Sequence, residues 1–244
     1  MLGQKFSHLP EIVKNLMIIN GLFFLASWSL HSRGIDLSSW FALHQFQSPD
    51  FQPHQLLTHM FMHANFTHLF FNMFTLWMFG KTLENKWGAK RFLTYYLITG
   101  FGAALIYVGY IQFQIVNISA GLNPELINQV INATNNTKIS AEPSQFLSMQ
   151  NLYSLINTPM VGASGAVYGL LLAFGMLFPN SIIYLYMAIP IKTKYFVAGI
   201  GCLALFNGIG NNPGDNVAHF AHLGGMIFGI ILLKYWKKKG EIWF

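Results

Sequence analysis

Residues 160–178 carry no Asp, Glu, Lys or Arg. A charge-free apolar run of that length crosses most or all of a bilayer as a helix. It opens with Gly162-Ala163-Ser164-Gly165, a hydroxyl flanked by glycines at the start of a membrane helix. Glycine removes side chains from around the Ser164 oxygen, so backbone can approach it closely. Taken alone, Gly162, Gly165 and Gly169 read first as an ordinary packing face between helices. The rest of the sequence decides between packing and chemistry.

Apolar runs also predict helices over residues 12–30, 66–84, 92–113, 194–206 and 216–233, giving six spans in all. The run at 194–206 is short for a span. Composition agrees with this reading: 53% of residues are hydrophobic and 9% are Asp, Glu, Lys or Arg, against about 25% charged in soluble domains. A solvated globular surface over most of the chain is excluded, and an integral membrane protein is expected. The net charge is +6. Nucleic acid is not implied as a partner, because the bases sit at the ends of apolar runs and not in one patch. The single cysteine, Cys202, lies inside an apolar run, where it reads as a small core filler. Residues 12–30 contain Lys14 and Asn20 without a convincing cleavage site, so the expectation is a retained first span.

The connections differ in character. Residues 31–65 hold Trp40, Phe41, Phe46 and Phe51, too aromatic for a simple solvated loop. They read as a first outer loop partly embedded in the membrane interface, with 53–63 a short helix leading inward. Residues 114–159 form a polar insertion rich in Asn, Ser and Thr, with weak helical periodicity near 122–131. A loop with one or two short surface helices is expected there. Pro179-Asn180 ends the fourth span, and 181–190 reads as lying along the interface.

With six spans both termini share a side. That side holds twelve of the Lys and Arg residues, including Lys5, Lys81, Lys86 and Lys237, and the other holds two, Arg33 and Lys138. The asymmetry predicts cytoplasmic termini. Helices 2, 4 and 6 then start on the outer side, and His68, Ser164 and His222 fall at one depth near those starts.

Ser164 is the candidate nucleophile, weak until a base takes its proton. His222 is the candidate base, since imidazole suits proton transfer near neutral pH. Its neighbours Ala221, Gly225 and Gly229, with Gly162, Gly165 and Gly169, would let helices 4 and 6 approach closely. His219, three residues earlier, is a rival base. No third acid is evident: Asp215 sits in a loop and Glu84 at the cytoplasmic end of helix 2. A dyad is expected, with Tyr168, four residues after Ser164, either orienting His222 or packing as an ordinary aromatic. His68-x-x-x-Asn72 puts an imidazole and an amide on one face of helix 2 as oxyanion donors, and the Ser164 N–H could add another. His59 and His63 also stand four apart. No carboxylate accompanies them, so they read as joining the outer loop to helix 2 and not as metal ligands. No cofactor is expected.

At these residues the sequence resembles the rhomboid intramembrane serine proteases. The family's Gly-x-Ser-Gly is present as Gly162 to Gly165, its Ala-His-x-x-Gly with following Gly as Ala221, His222, Gly225 and Gly229, and its helix 2 pattern as His59, His63, His68 and Asn72. Tyr168 and Glu84 also match. The resemblance covers roughly residues 53–233. It implies an all-α polytopic fold, a single rhomboid membrane domain over 1–244 built as a bacterial-type bundle of six transmembrane helices. It further implies a Ser164–His222 dyad in preference to His219, and an oxyanion site from His68, Asn72 and backbone. Expected supporting residues are Tyr168, Gly162, Gly165 and Gly225. The implied substrates are single-span or polytopic membrane proteins, with membrane lipids as the surrounding partner. The implied location is a bacterial inner (cytoplasmic) membrane, with the site opening to the periplasmic or extracellular side. His54-Gln55 stands where the family often has Trp-Arg in the first outer loop. No seventh helix or soluble domain is expected. An inactive rhomboid-like chaperone or client-binding protein is the alternative, and it would be signalled by loss of the serine or histidine. A transporter would instead show an internal repeat or mid-membrane charges, and neither is evident.

Overall fold

A computed structural model describes residues 9–133, 143–185, 188–210 and 218–242. Asp215, Asn216, Lys138 and Lys5 lie outside these residues.

The first helix, α1 (Glu11–His31), is apolar on nearly every side, yet only Val13, Leu16 and Asn20 are buried. Leu22, Leu25 and Trp28 are 60%, 58% and 74% exposed. A long helix whose apolar surface faces outward needs an apolar solvent. Among the described residues a second helix, α6 (Ala89–Ser119), is by itself also long and apolar enough to cross a membrane. The protein is therefore an integral membrane protein, largely helical.

Short helices α2 (Ser38–Phe41) and α3 (Gln55–Thr58), then a 3₁₀ turn at His59–Phe61, shape the first loop. The next span starts at α4 (Phe66–Thr75), passes through a π-helical turn at Leu76–Gly80 and ends as α5 (Lys81–Trp87). Asn65 caps α4 by accepting the His68 N–H at 2.8 Å. Glu84, on α5, closes the start of α1: its carboxylate oxygens accept the Ile12 N–H at 2.9 Å and the Val13 N–H at 2.8 Å. An anion on the unsatisfied N–H groups of a helix start is favourable, and Pro10 offers no cap of its own.

The helix α6 extends to Ser119, beyond the expected end at Phe113. The extension carries Ile111 and Ile115 into a second apolar cluster with Leu122, Val130, Met149, Leu152 and Ile156. Val130 comes from α7 (Pro124–Ile131), Met149, Leu152 and Ile156 from α8 (Pro143–Asn157), and Leu122 from the bend before α7. Of the expected short helices in the polar insertion, α7 has 8 residues, while α8 has 15 and is buried along one stripe through Met149, Leu152 and Ile156.

After α9 (Ser164–Leu177) the chain forms a hairpin of β1 (Ile182–Leu185) and β2 (Ile189–Lys192), then α10 (Thr193–Gly210) and α11 (His219–Lys238). The strands pair antiparallel with Ile182 opposite Lys192 and Leu185 opposite Ile189. The centre of the fold is α9, wrapped by α6, α10 and α11. Its packing faces are small. A Cβ at Gly169 would lie 2.7 Å from Thr99 of α6, and one at Gly225 of α11 would lie 2.7 Å from the Gly165 carbonyl carbon. The Tyr95 hydroxyl ties α6 to α9 by donating to the Gly169 carbonyl at 2.8 Å.

Candidate active site

Ser164 is the first residue of α9, and its approach is fixed by the first loop. Met160 and Leu43 exchange both backbone hydrogen bonds, at 2.8 and 2.9 Å, and the Gly162 N–H donates to the His59 carbonyl at 2.9 Å. Gly162 has φ of +123°, a backbone state that L side chains rarely adopt. A Cβ there would also lie 2.7 Å from the His68 ring atoms Cε1 and Nε2 and 3.7 Å from Ser164 Oγ. So only glycine leaves the space in front of the serine open, with the His68 imidazole forming the opposite wall.

The approach of α11 to α9 brings His222 to Ser164. Its Nε2 lies 2.9 Å from Ser164 Oγ, hydrogen-bond distance for a serine and its base. The Tyr168 ring lies flat on the His222 ring, centroids 4.0 Å apart and planes within 7°. His222 is buried, and among the described residues its Nδ1 has no hydrogen-bond partner. Stacking on Tyr168 and the contact with the serine orient the ring. His219 stands edge-on to His222 with ring centroids 6.1 Å apart.

Asn72, one turn beyond His68 on α4, is buried, and among the described residues its side-chain Nδ2 has no partner. An amide donor left free in an apolar interior is costly. Each such exception calls for a partner or a physical reason. His63 packs edge-on against His68, ring centroids 5.1 Å apart. His59 Nδ1 bonds the Gln55 carbonyl at 3.0 Å while its own carbonyl holds Gly162. His59 thereby ties the first loop to the segment before α9. Among the described residues no cluster of three metal-ligating side chains occurs.

Two further contributors shape the approach to the serine. One is the Leu43–Met160 pairing, which no local pattern announces. The other is Gln55, whose position against the family's usual arginine was the available signal. Its buried side chain accepts the His44 and Gln52 N–H groups at 3.3 and 3.1 Å. It donates to the carbonyls of Ser39, Trp40 and Asp50 at 3.2, 3.5 and 2.8 Å. His54 Nε2 adds a bond to the Trp40 carbonyl at 2.8 Å. The pair that replaces Trp-Arg therefore organises the first loop by its own hydrogen bonds.

The fold and site define a helical membrane protein with a serine and a histidine in contact across two helices. The rhomboid domain profile matches residues 50–238. The chain belongs to the rhomboid family, and with it shares homology to intramembrane serine proteases. It is 25% identical over 219 residues to RHOMBOID-like protein 12, mitochondrial, of Arabidopsis thaliana, covering 88% of this chain and 55% of that one. To Rhomboid protein 1, mitochondrial, of Saccharomyces cerevisiae it is 28% identical over 74% of this chain and 41% of that one. To the Rhomboid protease AarA of Providencia stuartii it is 27% identical over 71% of this chain and 52% of that one. The chain thus spans about half the length of these relatives.

Proposed function

We propose that the protein is an intramembrane serine endopeptidase that hydrolyses a peptide bond in or near the outer end of substrate transmembrane helices. The observation that carries this reading is the 2.9 Å contact between Ser164 Oγ and His222 Nε2. Ser164 Oγ attacks the scissile carbonyl carbon while His222 Nε2 takes its proton. The oxyanion that forms is met by Asn72 Nδ2, by His68 and by the Ser164 backbone N–H. Collapse breaks the C–N bond, with the His222 proton passing to the leaving amine. Water, deprotonated by the same nitrogen, then releases the acyl group and restores the serine. Nothing in this cycle requires a cofactor.

The spans of the proposed six-helix bundle are α1, α4 through α5, α6, α9, α10 and α11. Residues 31–65 form its partly embedded outer loop and 114–159 its outer insertion. Basic residues favour cytoplasmic termini in a bacterial inner membrane, which opens the site to the periplasmic or extracellular side. The helix α9 has 14 residues. At about 1.5 Å per residue it is shorter than the roughly 30 Å hydrocarbon core. Ser164 therefore sits below the outer surface and reaches substrates that are themselves membrane proteins, single-span or polytopic.

The test is covalent labelling by a fluorophosphonate together with cleavage of a single-span substrate in lipid. Parent protein should label and cleave, while Ser164→Ala and His222→Ala should do neither yet still insert. Labelling of Ser164→Ala at the parental level would refute the nucleophile. A folded parent that neither labels nor cleaves would instead favour a client-binding rhomboid-like protein.

A further inference from the structure

The hairpin between α9 and α10 has no place in the chemistry, and its surface is unusual. The strand β1 alternates, with Ile183 packed on the main core while Ile182 and Tyr184 face away, 56% and 62% exposed. By register Tyr184 stands opposite Pro190 and Ile182 opposite Lys192, so these four share the outward face. Ile189 is also more than half exposed. A lone two-stranded hairpin with such a face is marginal in water.

Its placement says what covers it. The Thr193 N–H and Oγ1 both donate to the Ser181 carbonyl at 2.8 Å, and the Lys194 N–H donates to the Pro179 carbonyl at 3.2 Å. These bonds clamp the hairpin to the end of α9 and the start of α10. The strands also satisfy each other's inner backbone groups, which suits a segment lying among lipid headgroups. Residues 178–195 contain Lys192 and Lys194 and no acid. Lys194 Nζ lies 5.1 Å from the Tyr195 ring centroid, and Lys86 Nζ lies 5.5 Å from that of Phe178. Aromatic rings with lysines at their edge are the composition of a membrane interface facing anionic lipid.

We infer that the β1–β2 hairpin is an interfacial anchor, its Ile182–Tyr184 face seated in the cytoplasmic leaflet and its lysines binding anionic phospholipid headgroups. This rests on the reading that α9 and α10 cross the membrane, and not on the peptidase chemistry.

The test uses full-length protein in which Cys202, the single cysteine, is replaced by alanine. Nitroxide labels are placed one at a time by Ile182→Cys, Tyr184→Cys, Phe206→Cys and Lys238→Cys, and the variants are reconstituted in phosphatidylcholine vesicles with and without phosphatidylglycerol. Phe206, 75% exposed on α10, reports the bilayer, and Lys238 reports water. Ile182 and Tyr184 labels should collide more with oxygen than with a water-soluble nickel chelate, as at Phe206, whereas Lys238 shows the reverse. Phosphatidylglycerol should lower nickel access at Tyr184 further, and Lys192→Gln with Lys194→Gln should abolish that response. Either hairpin label alone suffices if the other variant does not fold. Hairpin labels as open to nickel as Lys238, with Phe206 still in lipid, overturn the anchor and leave the spans standing. Nickel access at Phe206 as well overturns the membrane reading of α10 beneath it. Lipid burial without any response to phosphatidylglycerol overturns the headgroup claim.

Discussion

Gly225→Ala isolates the close approach on which the site depends. The added methyl would overlap the Gly165 carbonyl oxygen and lie 2.7 Å from its carbon and 3.3 Å from Gly165 Cα. The obstruction is backbone, so no side chain can turn aside. Ordinary carbon contacts need about 3.5–4 Å, so α11 must move from α9 by roughly 1 Å. Overpacking of this kind costs about 1–3 kcal/mol. The catalytic cost is larger. Ser164 lies beside Gly165 and His222 less than one turn before Gly225, so the same shift stretches the 2.9 Å contact past true hydrogen-bond length. A misplacement of about 1 Å can lower a rate about 100-fold. Initial cleavage rates in lipid, read beside thermal unfolding of the same preparation, separate the two costs. Gly109→Ala on α6 and Gly199→Ala on α10 are the controls, because nothing lies within 4 Å of either new methyl. They should keep parental rates. A Gly225→Ala protein as fast as the parent, or one no slower than the Gly109→Ala control, would refute the reasoning.

Asn72→Ala should lower turnover about 100- to 1000-fold, as loss of a single oxyanion donor does, with the Michaelis constant little changed. An altered Michaelis constant at parental turnover would contradict the donor role. Glu84→Ala removes both acceptors at the start of α1 and should lower stability by about 1–3 kcal/mol. Glu84→Gln, which keeps one acceptor oxygen, should lose less on thermal unfolding in detergent. Gln55→Leu strands the loop groups that Gln55 now satisfies, so proteolysis of the first loop should accelerate well before global unfolding. In a Cys202→Ala background, cysteines at positions 138 and 214 should react with an impermeant probe from outside, and one at 238 only after permeabilisation.

The parts of the fold that were legible are those where chemistry restricts residue type. Ser164 and His222 stand in runs where charge is absent and glycine recurs, so a hydroxyl and an imidazole are conspicuous there. The helix α8 was harder to read. Met149, Leu152 and Ile156 keep helical spacing, but Ser, Gln and Asn between them dilute the apolar signal. Their partner surface, Ile111 and Ile115 on α6, is distant in sequence. The hairpin was hidden for another reason. A run such as Ile182-Ile183-Tyr184-Leu185 has no period by which a strand can be told from an apolar loop. The π-helical turn at Leu76–Gly80 leaves no mark in composition, and the cap that Glu84 gives α1 joins residues more than seventy positions apart.

The same distinction explains why the first loop bears on the site at all. The serine and histidine come from α9 and α11, and packing alone would bring those helices together. Packing does not set what lies in front of the hydroxyl. That is set by Gly162, whose φ of +123° is stabilised by the N–H bond to the His59 carbonyl. His59 in turn is held through its ring to the Gln55 carbonyl, and Gln55 ties together five separate backbone groups of residues 39–52. The Leu43–Met160 exchange closes the circuit two residues before Gly162. A loop that reads as an interfacial connection is therefore the wall against which the segment before Ser164 is aligned. Buried backbone groups must be paired, and pairing this segment to the loop fixes its course without a side chain that would crowd the serine. The loop thereby sets the opening in front of Ser164 through the backbone of the segment that leads into α9.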